Sequence, residues 1–320
     1  GFQILTGHSS GVNSARFSPD GKRVITASND GAAKVWDASN GLEIISLNGH
    51  TKEVFCASFS PDGNKAVTSS QDNTSIIWDV QSGGIIHGLT QSSNVRMATF
   101  SPDGNYVATA SDDQTAKVWN VETGKLVKAL KEHRSYVISA SFSPDSKQLV
   151  TASFDGTNKF WEVPSGKFLS NLKTTYGPNH NNIISAIYSH DGQGIVTQDI
   201  NDRVEFRNTK NESLFNPFEL KATLSDIDWV NKTLLGVKNA FLCLFGLELQ
   251  QVLFKWVAVG QRHWVVFHPS GLFDASAGAM DKLYFVSGLD IVGLDQFKAR
   301  YHEPGLLKKI MNKEPLKSVD

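Results

Sequence analysis

One five-residue phrase returns along this chain at nearly constant intervals. Phe-Ser-Pro-Asp-Gly occupies 17–21, 59–63 and 100–104, returns as Phe-Ser-Pro-Asp-Ser at 142–146, and is echoed by Tyr-Ser-His-Asp-Gly at 188–192. The steps between these phrases are 42, 41, 42 and 46 residues. A second marker keeps the same beat: Trp36, Trp78, Trp119 and Trp161 are 42, 41 and 42 residues apart, with Phe206 following 45 later. A period of this size implies a repeat architecture, in which each unit buries its apolar surface only against its neighbours.

Each unit reads as four short strands. In the first, 12–17 is a strand and Ser18-Pro19-Asp20-Gly21 a turn, with Pro setting φ and Gly accepting a positive one. Strands follow over 23–28, 32–37 and 42–47, separated by Asn29-Asp30-Gly31 and Ala38-Ser39-Asn40-Gly41. β-branched and aromatic residues fill the strands; Gly, Asn, Asp and Ser fill the turns. One such sheet cannot bury both of its faces, but sheets stacked radially about an axis can. The expected fold is therefore all-β: a closed β-propeller of four-stranded antiparallel blades over 1–292. A short helical C-terminal tail or linker is expected over 293–320.

Gly7-His8, Gly49-His50, the Ser-x-Asp pairs, Trp36-Asp37 and Trp78-Asp79 resemble WD repeats, strongly over 1–173 and only architecturally beyond 215. The resemblance implies a hydrogen-bonded His, Ser, Asp and Trp network in each repeat. The matching sets are His8, Ser28, Asp30, Trp36; His50, Ser70, Asp72, Trp78; and His133, Ser153, Asp155, Trp161. The third repeat offers Ser111, Asp113 and Trp119, but Gln91 stands where the His would be, so a weaker network is expected there.

After four clear units, 183–214 reads as a degraded fifth, 227–254 as a sixth, and 264–286 as a seventh. Seven blades is the favoured count, with six and eight open. Residues 2–6 align with the outermost strand of a unit and are expected to close the ring, which would remove exposed sheet edges. Past Val292, 294–300 and 304–311 read as helical, with Leu306, Leu307, Ile310 and Met311 on one face. Residues 264–311, including Phe-His-Pro-Ser-Gly-Leu-Phe-Asp, are similar to the segment that joins WD repeats to a caspase-like peptidase in some microbial proteins. The chain opens at Gly1 inside a repeat, as a piece of a longer protein would, and a peptidase domain would lie outside it.

Catalytic chemistry finds little footing in the residues. Cys56 and Cys243 both sit in apolar strand runs, as inert thiols do, and such thiol use fits a reducing, cytoplasmic setting. The histidines fall one to a repeat, each with a local partner set, and neither His-Glu-x-x-His nor paired Cys-x-x-Cys spacing occurs. Glycine-rich phosphate loops are absent too, so no metal, cofactor or catalytic residue is expected. A net charge of −1 gives no field for nucleic acid or a membrane surface. No run approaches the ~20 apolar residues of a membrane span.

Function is then expected on exposed positions of the scaffold. Four residues before each repeated Phe stand Asn13, Phe55, Arg96 and Ile138, and six before stand Gly11, Glu53, Asn94 and Tyr136. In weaker register the first series continues to Ile184, Ser225 and His263. Asn13, Phe55, Arg96, Tyr136 and Ile138 are the candidate partner-binding set, since aromatic residues and Arg are common interface anchors. The resemblance to WD repeats implies partner contact on the narrow face around the central channel, at the entry of each innermost strand, so the expectation is a monomeric, non-catalytic scaffold that docks a protein or peptide there. A small-ligand or enzymatic propeller using the channel is the alternative.

Overall fold

A computed structural model describes residues 5–173, 182–189, 192, 194–201 and 203–208, and beyond these the backbone of the strands named below. Among the described residues every regular element is a β-strand. The chain divides into two compact units, one over Leu5–Glu219 and one taken up chiefly by Leu220–Asp320.

The first unit consists of five antiparallel sheets, each with its strands in chain order. Blade 1 contains β1 (Val12–Phe17), β2 (Arg23–Ser28), β3 (Ala32–Asp37) and β4 (Glu43–Asn48). Blade 2 contains β5 (Val54–Phe59), β6 (Lys65–Ser70), β7 (Thr74–Asp79) and β8 (Ile85–Thr90). In blade 3 are β9 (Val95–Phe100), β10 (Tyr106–Ser111), β11 (Ala116–Asn120) and β12 (Leu126–Leu130). Blade 4 holds β13 (Val137–Phe142), β14 (Gln148–Ser153), β15 (Thr157–Glu162) and β16 (Phe168–Lys173). Blade 5 holds β17 (Ile183–Tyr188), β18 (Gly194–Asp199), β19 (Arg203–Asn208) and β20 (Phe218–Glu219).

The Ser-Pro-Asp-Gly turns explain the repetition. In the first, the Gly21 amide donates to the Ser18 carbonyl at 2.8 Å, with Gly21 at φ 70°. The Ser18 hydroxyl donates to Asp20 and accepts from the Arg23 amide. In the fourth, Ser146 must adopt the same left-handed φ of 62° without being Gly. That strain is offset in part by a bond from the Asp103 amide of blade 3 to its hydroxyl, 3.0 Å.

Successive blades pack through apolar layers. One joins Ile25, Ala27, Ala33 and Leu47 of blade 1 to Val54, Ala57, Phe59 and Trp78 of blade 2. Equivalent clusters join blades 2 and 3, 3 and 4, and 4 and 5. The innermost strands β1, β5, β9, β13 and β17 adjoin one another in order. Blade 1 differs on its other face. Phe17 is 68% exposed, whereas its counterparts Phe59, Phe100, Phe142 and Tyr188 are at 9% or less.

The second unit departs from the four-stranded grouping. Its strands β21 (Thr223–Asp228), β22 (Thr233–Lys238), β23 (Phe241–Gly246), β24 (Gln251–Val259), β25 (His263–Phe267) and β26 (Phe273–Ala275) form one six-stranded sheet. The separate sixth and seventh blades expected from the sequence are not drawn there: β24, nine residues long, pairs with β23 on one side and β25 on the other. A two-stranded sheet of β27 (Tyr284–Ser287) and β28 (Asp290–Gly293) follows. The expected helical tail over 293–320 and most of the expected closing strand 2–6 lie outside the described residues.

Candidate protein-binding face and the network beneath it

The polar network within each blade differs from the expected one in a single member. His8 Nδ1 lies 2.8 Å from Asp30 Oδ2, as anticipated. The atom joining His8 to Trp36 is the hydroxyl of Thr26, not of Ser28: His8 Nε2 is 2.7 Å and Trp36 Nε1 2.8 Å from Thr26 Oγ1. Ser28 instead accepts the Asp30 amide and so shapes the turn. Blades 2 and 4 repeat this with Thr68 and Thr151, while Ser70 and Ser153 accept the amides of Asp72 and Asp155. The two residues share a face of the strand, but Thr26 sits mid-strand within reach of Trp36, whereas Ser28 ends the strand at the turn.

Tautomer follows from this geometry. A carboxylate only accepts, so Nδ1–H donates to Asp and bare Nε2 accepts from the Thr hydroxyl, whose oxygen accepts from Trp. Burial lowers the pKa of His50 below its ordinary 6.5 against the opposing pull of Asp72, which keeps the ring neutral. Burial works to raise the Asp72 carboxyl, but bonds from Thr74, the Thr51 amide and His50 outweigh it and hold it low. In blade 3, Gln91 Nε2 donates to Thr109 at 2.7 Å and Trp119 keeps its bond to Thr109. Asp113 there accepts from the Ser92 amide and from Thr115.

Blade 5 departs further. Its register places Arg207, not Phe206, opposite Ile195, where Trp36 stands opposite Val24. Asp199 takes the place of Ser28, opposite Ile183 as Ser28 is opposite Val12. Arg207 forms an ion pair with buried Glu205.

Above these networks, the inner strands carry the candidate face. Arg96 donates from Nε and Nη2 to both oxygens of Asp112, at 2.8 and 2.7 Å. Its guanidinium lies 5.1 Å from the ring centre of Phe55, one blade away. The bond with Asp112 raises the Arg96 pKa above an already high value, and nearby Tyr136 adds to the effect. Tyr136, 46% exposed, pairs with the Phe154 ring at 6.2 Å. Phe55, Arg96, Tyr136 and Phe154 thus run across blades 2 to 4. Ile138 is half-buried on the same inner strand as Tyr136's neighbour Val137. Asn13 donates to Asn29 and to the Val54 carbonyl, tying blade 1 to blade 2. Ile184 is half-buried, and the side chains of Ser225 and His263 lie outside the described residues.

Asp112, Phe154 and exposed Ile200 escaped the sequence reading. They share one offset, the residue after the turn-shaping position, with Asn29 and Gln71. The amide of each donates to the carbonyl of the residue six before the repeated Phe or Tyr, at 2.9–3.0 Å. That repeated offset was the available signal. Among the described residues, no group of three or more His, Cys, Asp or Glu could hold a metal ion.

A repeat protein of β-propeller-like sheets is therefore defined by the fold and by its His–Thr–Trp networks. Residues 2–37, 41–79, 84–120 and 124–162 match WD40, the WD domain, G-beta repeat, so the chain carries four WD repeats. Over 35 residues it is 57% identical to Periodic tryptophan protein 2 of Saccharomyces cerevisiae. That match covers 11% of this chain and 4% of the yeast protein.

Proposed function

We propose that this protein is a non-catalytic interaction scaffold that docks a protein or peptide on the face built by Phe55, Arg96, Tyr136, Ile138 and Phe154. WD repeats point to a protein-interaction role in general. The observation that carries the particular face is Arg96, held in one geometry by Asp112 and by the Phe55 ring. An arginine and aromatic side chains pre-arranged on adjoining strands lose little conformational entropy on binding, as interface anchors should. The mixed chemistry of the face favours a peptide with apolar side chains over a phosphate or nucleic acid. On this reading the protein works in a reducing, cytoplasmic setting. The similarity of 264–311 to the segment before caspase-like peptidases supports a sensing or regulatory place in a longer polypeptide.

The test compares wild type with a folded Phe55→Ala/Arg96→Ala/Tyr136→Ala variant in pull-downs, followed by titration of each captured protein in purified form. Binding that the variant loses supports the face. Equal affinity for both overturns it and moves the search to the outer strands, where Ile85, Leu126 and Phe168 are exposed.

A further inference from the structure

Among the described residues, the buried side-chain polar atoms that lack a hydrogen-bond partner are Ser69 Oγ, Ser75 Oγ, Asn158 Nδ2 and Oδ1, Thr197 Oγ1 and Asp199 Oδ2. They gather in two layers between blades. Ser69 and Ser75 are cross-strand partners, two residues from Val67 and Ile77, which pack on blade 3. Asn158 lies two residues from Phe160 and pairs with Ala152 and Leu172; all three pack on blade 5. Thr197 and Asp199 lie two and four residues from Ile195, on the face of blade 5 that meets the same cluster. Because side chains alternate along a strand, Asn158, Thr197 and Asp199 face one another's blade across this seam.

The two layers follow a rule. Blade 2 keeps its His, and blade 1 offers it the pair Ala27 and Ala33. Blade 4 keeps its His, and blade 3 offers Ala110 and Ala116. Blade 3 has Gln91 instead and meets Ser69 and Ser75. In blade 5 the Trp register holds Arg207 and the Ser register Asp199, and its neighbour offers Asn158. A polar side chain thus enters the facing layer where the next blade's network has changed.

We propose that the seam between blades 4 and 5 is a binding site for ordered water, shared by Asn158, Thr197 and Asp199. The chemistry selects water. Asp199 Oδ2 needs a donor, Asn158 brings both a donor and an acceptor, and Thr197 can serve as either. A cation would satisfy the oxygens but be repelled by the amide N–H groups. Water both donates and accepts, and buried waters bridge two to four such groups.

A high-resolution crystal structure of the chain tests this. Expected is a water peak within hydrogen-bond distance of Asn158 and of Thr197 or Asp199. A direct bond from Asn158 to Asp199, or a side chain filling the seam, overturns the proposal. In solution, Asn158→Ala and Asp199→Ser form a cycle that restores the residues of blades 1 and 3. A combined Tm loss smaller than the sum of the single losses is expected; additive losses overturn the shared site. Should Asp199→Ser fail to fold, Thr197→Val takes its place in the cycle with the same two readings.

Discussion

The guanidinium of Arg96 rests 5.1 Å from the ring centre of Phe55, so a cation of one blade is held by an aromatic ring of the next. The same guanidinium is fixed by two bonds to Asp112, whose carboxylate is 7% exposed while Arg96 is 36% exposed. Arg96→Lys keeps the charge but gives up both the bidentate bond and the flat stacking surface. In a cycle with Asp112→Asn, urea melts are expected to show a coupling on the order of 1 kcal/mol, since solvent reaches and screens the guanidinium side of the pair. Partner affinity should fall with Arg96→Lys well beyond that change in stability.

Thr68 bridges His50 and Trp78, so removing its hydroxyl strands two buried polar groups. Thr68→Val nearly preserves shape and is expected to cost ~1–3 kcal/mol for each group left unpaired. Thr68→Ser keeps the oxygen and should stay near wild type. Ser70→Ala should cost less than Thr68→Val, because Ser70 does not contact the ring network. Equilibrium urea unfolding of the three variants ranks them, and a larger loss for Ser70→Ala would refute the assignment of Thr as the bridge.

Stability should fall with acid in two stages. The folded pKa of His50 lies below 6.5, so under that pH the unfolded chain binds more protons and acid weakens the fold. Asp72 also has a folded value below its ordinary 3.8, so a second loss begins beneath that value. His50→Gln, which copies the residue blade 3 already uses, should flatten the first stage and leave the second. Melting temperatures from pH 8 to 3 would show it.

Gly124 turns at φ 65°, and a Cβ there would sit 2.6 Å from the His87 ring of the preceding blade. That ring is itself held by a 2.9 Å bond to the Glu122 carbonyl. Gly21 has a similar φ of 70° with nothing near its Cβ position. Gly21→Ala thus reports backbone strain alone, about 1 kcal/mol. Gly124→Ala should cost a further ~1–3 kcal/mol for the overlap. Equal losses in thermal melts would mean that the blades separate there without penalty.

Strand order, turn chemistry and blade boundaries over the first four repeats were legible because they are local. Pro, Gly and Asp at fixed offsets dictate the turns, and the alternation between them dictates the strands. Phe55 and Arg96 stand four residues before the repeated Phe and Tyr136 six before it, so their places at the inner strands were legible for the same reason. Beyond residue 183 the markers degrade, and the expected split of the last strands into two blades gave way to one six-stranded sheet.

Composition and period by themselves determined a chain of four-stranded units, three of them with a His, Asp and Trp to satisfy and the third repeat with Gln91 in place of the His, because turns and strands are encoded within a few residues. Which hydroxyl joins His to Trp was decided by cross-strand register, which sets Thr26 rather than Ser28 beneath the indole. Strand pairing within blade 3 likewise brought Asp112 onto Arg96, 16 positions away. Asn158 faces Asp199's blade for a different reason, since only the stacking of sheets brings blades 4 and 5 together.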